Sequence, residues 1–172
     1  MTKSDQQSKD AGELWDAEDH RALAEQLGAE RSASESEAMQ RLSELVGVVF
    51  RLRDTGGCPW DRKQTLVSMA SHLVEEASET ADAVARGDDA HVAEELGDTL
   101  LNVLLMSRIA ADEGRFDLSE VAQGIAEKLV RRHPHVFSEM SAADAESALA
   151  SWNASKARER VGRTTSLLDE VP

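Results

Sequence analysis

Two groups of carboxylates lie at helical spacing near the middle of the chain. Glu75, Glu76 and Glu79 fall within about one helical turn. Glu95 and Asp98 follow, three residues apart and therefore on one helix face. Carboxylates held together away from water repel each other, and either a proton or a cation must relieve that repulsion. Oxygen ligands without neighbouring cysteine favour a hard ion such as Mg²⁺, with Mn²⁺ as a substitute.

The two groups belong to helices predicted to form an antiparallel hairpin about a break at Gly87 and Asp88. With about 1.5 Å of rise per residue, Glu79 lies roughly 13 Å before this break and Glu95 roughly 11 Å after it. The expected facing pairs are Glu79 with Glu95 and Glu76 with Asp98. The alternative interpretation is a solvated helix face, which is common for Glu-x-x-Glu in a chain with 33 acidic residues.

Apolar periodicity predicts an all-α fold with helices over about 38–53, 66–87, 90–112, 118–132 and 142–160. The third helix carries apolar residues around nearly its whole circumference, so it must be covered on all sides. One thin domain offers too few neighbours for that. We therefore expect an antiparallel helical bundle completed by homodimerisation, or by a dimer of dimers, with this helix near the interface.

The composition narrows the function classes. A net charge of −14 argues against binding a nucleic-acid backbone, although a metal ion reconciles an acidic protein with a phosphate ligand. A single cysteine, no signal-peptide pattern and no membrane-length apolar run predict a cytoplasmic protein without a membrane partner.

We predict three regions along the chain. A polar N-terminal extension, 1–37, is interpreted as mostly disordered, with a short docking helix left open around Leu14, Trp15, Leu23 and Leu27. One helical domain is predicted over 38–160. The remaining residues, 161–172, are predicted to form a tail.

A basic cluster supplies candidates for binding phosphates. Lys128, Arg131 and Arg132 lie at the predicted end of the fourth helix. Guanidinium groups match phosphate oxygens, but cations also occur at helix C-termini for electrostatic reasons alone. Lys156 lies four residues after Trp152, on the same helix face, and is a further candidate.

Two tryptophans and one asparagine are candidates for contacting the rest of a nucleotide. Trp60 and Trp152 can stack on a base or act as packing anchors. Asn102 shares an arc of about 60° with Glu95 and Asp98 on the third predicted helix, next to apolar surface. We include Asn102 among the candidate substrate-binding residues.

Four strings resemble the MazG nucleotide pyrophosphohydrolases, within the all-α NTP pyrophosphatase group. They are Gly57-Cys58-Pro59-Trp60-Asp61, the segment from Leu73 to Glu79, the segment from Glu94 to Asp98, and the segment from Glu127 to Phe137. The resemblance spans about residues 42–156. It implies hydrolysis of a nucleoside triphosphate to the monophosphate and pyrophosphate by water attack, with Mg²⁺ as Lewis acid, in the service of nucleotide-pool house-cleaning.

The resemblance also implies residue roles. The implied metal ligands are Glu76, Glu79, Glu95 and Asp98, with Glu75 orienting or deprotonating the water. The residues implied near the nucleotide are Lys128, Arg132, Trp152 and Lys156, the first two of them on phosphates. The chain departs from the longest family members, which carry two such domains, and from the expected pattern at Arg62 and Lys63.

Two other functions remain open. A di-iron carboxylate bundle also places Glu on facing helices, but it requires Glu-x-x-His pairs, and the hairpin sequence contains none. A non-enzymatic alternative is an acidic helical dimer that acts as a partner-binding module, with carboxylates that only keep it soluble.

Overall fold

The computed structural model describes residues 17–29, 32–137 and 144–160. The helices are α1 (Ala17–Ala29), α2 (Ala33–Arg53), α3 (Leu66–Arg86), α4 (Asp89–Asp112), α5 (Leu118–Arg132), α6 (Pro134–Phe137) and α7 (Ala145–Arg160), with a single 3₁₀ turn at Asp61–Lys63. The described residues contain no strand, which confirms the all-α prediction. They divide into two compact units, one containing Arg21–Ala122 and the other containing residues 17–20 and those from Gln123 onward. The predicted tail lies outside the described residues.

The N-terminal part contains more helix than the sequence analysis predicted. α1 covers 13 residues of the extension interpreted as mostly disordered, in the stretch around Leu23 and Leu27 where the sequence leaves a short docking helix open. α2 begins at Ala33 rather than near residue 38, because Ser32 and Glu35 form a capping box. The Ser32 hydroxyl accepts a hydrogen bond from the Glu35 amide, and the Glu35 carboxylate accepts one from the Ser32 amide. Because the start of α2 is set by polar capping residues, apolar periodicity alone does not predict it.

α3 and α4 form the predicted hairpin and contact each other more extensively than any other pair of described elements. α3 ends at Gly87, whose φ of 72° lies in the left-handed region that glycine adopts without steric cost. Asp88 then caps α4, since its side chain accepts a hydrogen bond from the His91 amide. The predicted break at Gly87 and Asp88 is therefore confirmed.

The hydrophobic core of the unit Arg21–Ala122 lies between α2, α3 and the C-terminal half of α4. Its buried apolar side chains are Val49, Met69, Leu104, Leu105 and Ile109. The N-terminal half of α4 differs, because Leu96 and Leu100 are 53% and 36% exposed. Within one chain, α4 is thus enclosed over only part of its length, and its further coverage by a second copy stays a prediction.

A half-buried arginine ties the loop after α2 to the end of α4. Arg53 donates from Nε to Asp112 Oδ2 at 2.8 Å, and its Nη1 donates to the carbonyl oxygens of Asp61 and Gln64. Arg108 donates to the other oxygen of Asp112, also at 2.8 Å. The 3₁₀ turn that follows Trp60 is therefore held by Arg53 of α2, which Asp112 of α4 holds in turn.

The same loop folds closely back on the end of α2. The Cys58 amide donates to the Leu52 carbonyl at 2.7 Å, which brings Gly57 against the helix. A Cβ at Gly57 would collide with the carbonyl oxygens of Arg51 and Leu52, so only glycine fits there.

The second unit contains the C-terminal part of α5, with α6 and α7. α5 ends at Arg132, before Pro134, as predicted, and Pro134–Phe137 adds one short helical turn. α7 begins at Ala145 because the Asp144 side chain accepts a hydrogen bond from the Ser147 amide. Within the described ranges, no helix combines the length and apolar character that crossing a membrane requires.

Candidate metal centre and substrate-binding residues

Three carboxylates from the two arms of the hairpin converge. Glu76 and Glu79 of α3 and Glu95 of α4 each offer one oxygen, and these atoms lie within 4.8 Å of one another. Beside them the hydroxyl oxygens of Thr80 and Thr99 lie 3.3 Å apart and join the two helices by a hydrogen bond. The facing arrangement expected from the spacing therefore brings together three of the four proposed ligands in one group.

Asp98 and Glu75 act on this group through their charges. Burial raises the pKa of the Glu76 carboxyl, and repulsion from Asp98, Glu79, Glu95 and Glu75, in that order, raises it further. Asp98 is thus the charge that acts most strongly on Glu76, which agrees with the expected pairing of these two residues. Both Asp98 and Glu75 are exposed.

Glu95 is the most enclosed member of the group, at 6% exposure. Its Oε1 lies 2.7 Å from His91 Nε2. Its Oε2 is buried and has no hydrogen-bond partner among the described residues. A buried carboxylate oxygen without a hydrogen-bond partner lowers the stability of the fold, and a divalent cation bound to it would remove that penalty. The oxygen-only donor set and this unpartnered atom both fit Mg²⁺ or Mn²⁺.

Sequence reasoning did not identify His91 as part of this site. The sequence feature that could have indicated it is the spacing: His91 lies four residues before Glu95, so both side chains lie on one face of α4. The Thr80–Thr99 bridge was also missed, since hydroxyl pairs across a hairpin have no sequence pattern of their own.

Asn102 and Trp60 lie in the same unit as the carboxylates. The Asn102 side chain is buried and donates to the Asp98 carbonyl at 3.0 Å. Its Oδ1 has no hydrogen-bond partner in the part of the chain that the structure describes. Trp60 is 55% exposed and makes an edge contact with the His72 ring, with centroids 6.2 Å apart. Trp60 is therefore not a buried packing anchor.

The remaining predicted binding residues lie in the unit from Gln123 onward. The Arg132 guanidinium lies over the Trp152 ring at 4.9 Å from its centroid, and the His133 ring is also 4.9 Å away. Arg132 is buried, whereas Lys128 and Arg131 are half-buried and Lys156 is exposed. The structure thus brings Arg132 and Trp152 into direct contact.

Comparison with known proteins identifies the family. The family model described as the MazG nucleotide pyrophosphohydrolase domain matches residues 64–137, which include all the carboxylates described above. The crystal structure of a mazG-related protein from Thermotoga maritima matches with a TM-score of 0.57 and 32% identity, covering 67% of this chain and 98% of that one. The chain belongs to the MazG family.

Longer MazG-like relatives are also similar. The Escherichia coli K12 nucleoside triphosphate pyrophosphohydrolase is 41% identical over 136 residues, which are 78% of this chain and 52% of that protein. The uncharacterized protein YabN of Bacillus subtilis is 46% identical over 125 residues, covering 73% of this chain and 26% of that protein. This MazG chain therefore spans about a quarter to a half of the length of these curated relatives.

Proposed function

We propose that this MazG chain hydrolyses nucleoside triphosphates to the monophosphate and pyrophosphate in a Mg²⁺-dependent reaction, and so acts in nucleotide-pool house-cleaning. The observation that carries the proposal is the convergence of Glu76, Glu79 and Glu95, one of which has a buried oxygen without a hydrogen-bond partner among the described residues. The Escherichia coli relative, a nucleoside triphosphate pyrophosphohydrolase, agrees with this reaction.

The four ligands proposed for Mg²⁺, or for Mn²⁺ in its place, are Glu76, Glu79, Glu95 and Asp98. Bound there, the ion would supply Lewis acidity that neutralises charge on the phosphate oxygens. Glu75, exposed on the same turn of α3 as Glu76, orients the attacking water or accepts its proton. The water oxygen bonds to the phosphorus at one end of the α–β bridge, the bond from that phosphorus to the bridging oxygen breaks, and the products are the monophosphate and pyrophosphate. No protein nucleophile is needed for this hydrolysis.

The residues proposed to bind the substrate are Trp60, Asn102, Lys128, Arg131, Arg132, Trp152 and Lys156. The cationic side chains bind phosphate oxygens, because a guanidinium group matches them with paired hydrogen bonds. The exposed ring of Trp60 offers a face on which a base can stack. The Arg132 guanidinium already lies over Trp152, so that both residues form one rigid binding element.

We also propose a homodimer, or a dimer of dimers, in which a second copy covers the exposed part of α4, as expected from the sequence, together with an apolar stripe along α3. The three valines of the stripe are 60–86% exposed: Val67, Val74 and Val84. Exposed alanines lie between them at three- and four-residue steps, which are Ala70, Ala77 and Ala81. The six positions span an arc of about 100°, and a continuous apolar surface of this kind marks an interface.

The catalytic domain is assigned to residues 38–160, with the N-terminal extension and the tail outside it. We place the reaction in the cytoplasm, which agrees with the single cysteine, Cys58, and with the absence of a membrane-length helix among the described residues.

The test is product analysis of the purified protein with a panel of canonical and modified nucleoside triphosphates, with and without Mg²⁺. Monophosphate and pyrophosphate formed only with the metal would support the proposal and rank the substrates. Diphosphate and phosphate would mean that the wrong bond has been assigned. No turnover, together with a melting temperature that Mg²⁺ and Mn²⁺ leave unchanged, would favour the non-catalytic partner-binding dimer.

A further inference from the structure

We propose that His91 is a positioning residue for the metal centre: it holds one oxygen of Glu95 and leaves the other to bind the cation. The inference rests on the proposed function, because it takes Glu95 as a metal ligand. It adds to that function a residue outside the carboxylate group, on which the affinity for the metal depends.

The contact itself is short. His91 Nε2 lies 2.7 Å from Glu95 Oε1. Because an ionised carboxylate carries no proton, the ring nitrogen that faces it must carry one for the contact to be attractive. The Glu95 side chain is 8% exposed, whereas that of His91 is 37% exposed, so the histidine lies on the solvent side of the bond. Burial strengthens a hydrogen bond of this kind.

The two oxygens of Glu95 have different surroundings. Oε1 is held by His91, while Oε2 is buried without a hydrogen-bond partner among the described residues. A glutamate side chain has several rotatable bonds, and holding one carboxylate oxygen removes most of that freedom. The contact with His91 therefore restricts the Glu95 carboxylate before a cation arrives, so that the side chain loses less conformational entropy when the cation binds.

His91 is itself fixed at the start of α4. Its amide donates to the capping side chain of Asp88 at 3.2 Å, so the backbone that carries the imidazole is anchored. The step of four residues then brings the ring beside Glu95. The group that could hold an ion comprises Glu76, Glu79 and Glu95 and, among the residues described, does not include His91. His91 thus acts through Glu95 and not as a ligand.

The test is Mn²⁺ binding to the nucleotide-free protein, measured by calorimetry and by the electron paramagnetic resonance spectrum of the ion. His91→Leu removes the donor, and we expect the affinity for Mn²⁺ to fall by about 10- to 100-fold, the usual effect of losing a residue that orients a ligand. A purely electrostatic role predicts the opposite sign, since removing a group that can be positive would strengthen cation binding.

His91→Gln provides the matched rescue. In this chain glutamine already reaches a glutamate four residues later, from Gln40 Nε2 to Glu44 at 3.1 Å and from Gln123 Nε2 to Glu127 at 2.8 Å. His91→Gln is therefore expected to keep nearly the wild-type affinity. If His91→Leu does not fold, His91→Asn is too short to make the bond and has the same expected loss. His72→Leu, which removes a histidine from α3 outside the ion-binding group, is the control and should bind Mn²⁺ as the wild type does.

The outcomes separate this inference from the function on which it rests. Weak binding by His91→Leu with recovery in His91→Gln supports it, provided that the melting temperatures of the metal-free variants match. Unchanged or tighter binding by His91→Leu, or equal losses in His91→Leu and His91→Gln, would overturn the positioning role while wild-type metal binding and activity stand. No Mn²⁺ binding by the wild type would overturn the metal centre itself.

Discussion

Replacing Asp112 by asparagine tests the ion-pair network that ties the Trp60 loop to α4. The Asp112 carboxylate accepts hydrogen bonds from Arg53 and Arg108, each at 2.8 Å. Burial alone would raise the pKa of Asp112, but the hydrogen bonds and charges of the two arginines hold it below its ordinary value. Asp112→Asn removes the charge and turns one acceptor into a donor that faces an arginine.

The size of the effect follows from the exposure of the partners. A hydrogen bond to a charged group contributes about 1.5–3 kcal/mol to the free energy of unfolding. The Asp112 side chain is 32% exposed, and solvent screening reduces that contribution, although Arg53 is only 9% exposed. Asparagine keeps one acceptor, so we expect the free energy of unfolding to fall by about 1–2 kcal/mol. For a chain of this size the melting temperature then falls by about 3–6 °C.

The pH dependence of the stability difference between wild type and Asp112→Asn tests whether the charge of Asp112 causes it. Because the pKa of Asp112 is lowered in the folded state, its stabilising contribution is complete above the unfolded value of about 3.9 and is lost as the pH falls through the folded value. The difference in stability between wild type and Asp112→Asn should therefore be full at neutral pH and should shrink below about pH 4.

The assay is urea unfolding followed by circular dichroism at neutral and acid pH. Asp82→Asn is the matched control, since it breaks an ion pair with Arg86 in which both side chains are more than half exposed, and it should change stability little. Equal stability of Asp112→Asn and wild type at neutral pH would refute the reasoning. A difference that stays constant into acid would show that the lost contribution is not the charge of Asp112.

Two further predictions concern the interface and the loop. If the proposed dimer forms through the α3 stripe, Val74→Glu should convert it to a monomer in size-exclusion chromatography with light scattering, because the substitution places a charge in the stripe. The equally polar change Val48→Glu on α2 should leave the dimer intact. A dimeric Val74→Glu protein would contradict this placement of the interface. Gly57→Ala should lower the free energy of unfolding by about 1–3 kcal/mol, because its Cβ would collide with backbone carbonyls. The control is Gly47→Ala, whose Cβ would meet nothing within 4 Å and which should stabilise α2 by up to about 1 kcal/mol. Similar stabilities of the two variants in urea unfolding would contradict this account of the loop.

The hairpin and its carboxylates were predictable because their signals are local. Gly87 ends α3 and Asp88 caps α4 through interactions within a few residues. Once two helices meet at such a break, the rise per residue fixes which side chains lie at the same level. The matched levels of Glu79 and Glu95 follow from that arithmetic, and the structure shows that their side chains also face each other.

The features that sequence analysis missed depend on contacts that leave no periodic pattern. The early start of α2 depends on two polar capping residues and not on an apolar face. The hydrogen bond from Arg53 to Asp112 joins residues 59 positions apart, and no local pattern predicts it. The contact of His91 with Glu95 has helical spacing, but its significance depends on the burial of Glu95, which only the structure shows.

The most direct test of the metal-dependent pyrophosphohydrolase is a comparison of Glu79→Gln with Glu94→Gln, measured as Mg²⁺-dependent release of pyrophosphate from the best nucleoside triphosphate. Both variants lose one carboxylate, but only Glu79 belongs to the converging group, and Glu94 is an exposed neighbour on α4. We predict that Glu79→Gln abolishes pyrophosphate release while its metal-free melting temperature is equal to that of the wild type or higher, because a repelling charge is gone. Glu94→Gln should keep its activity. Unchanged turnover by Glu79→Gln, or equal losses in both variants, would contradict the assignment of the carboxylate group as the catalytic metal centre.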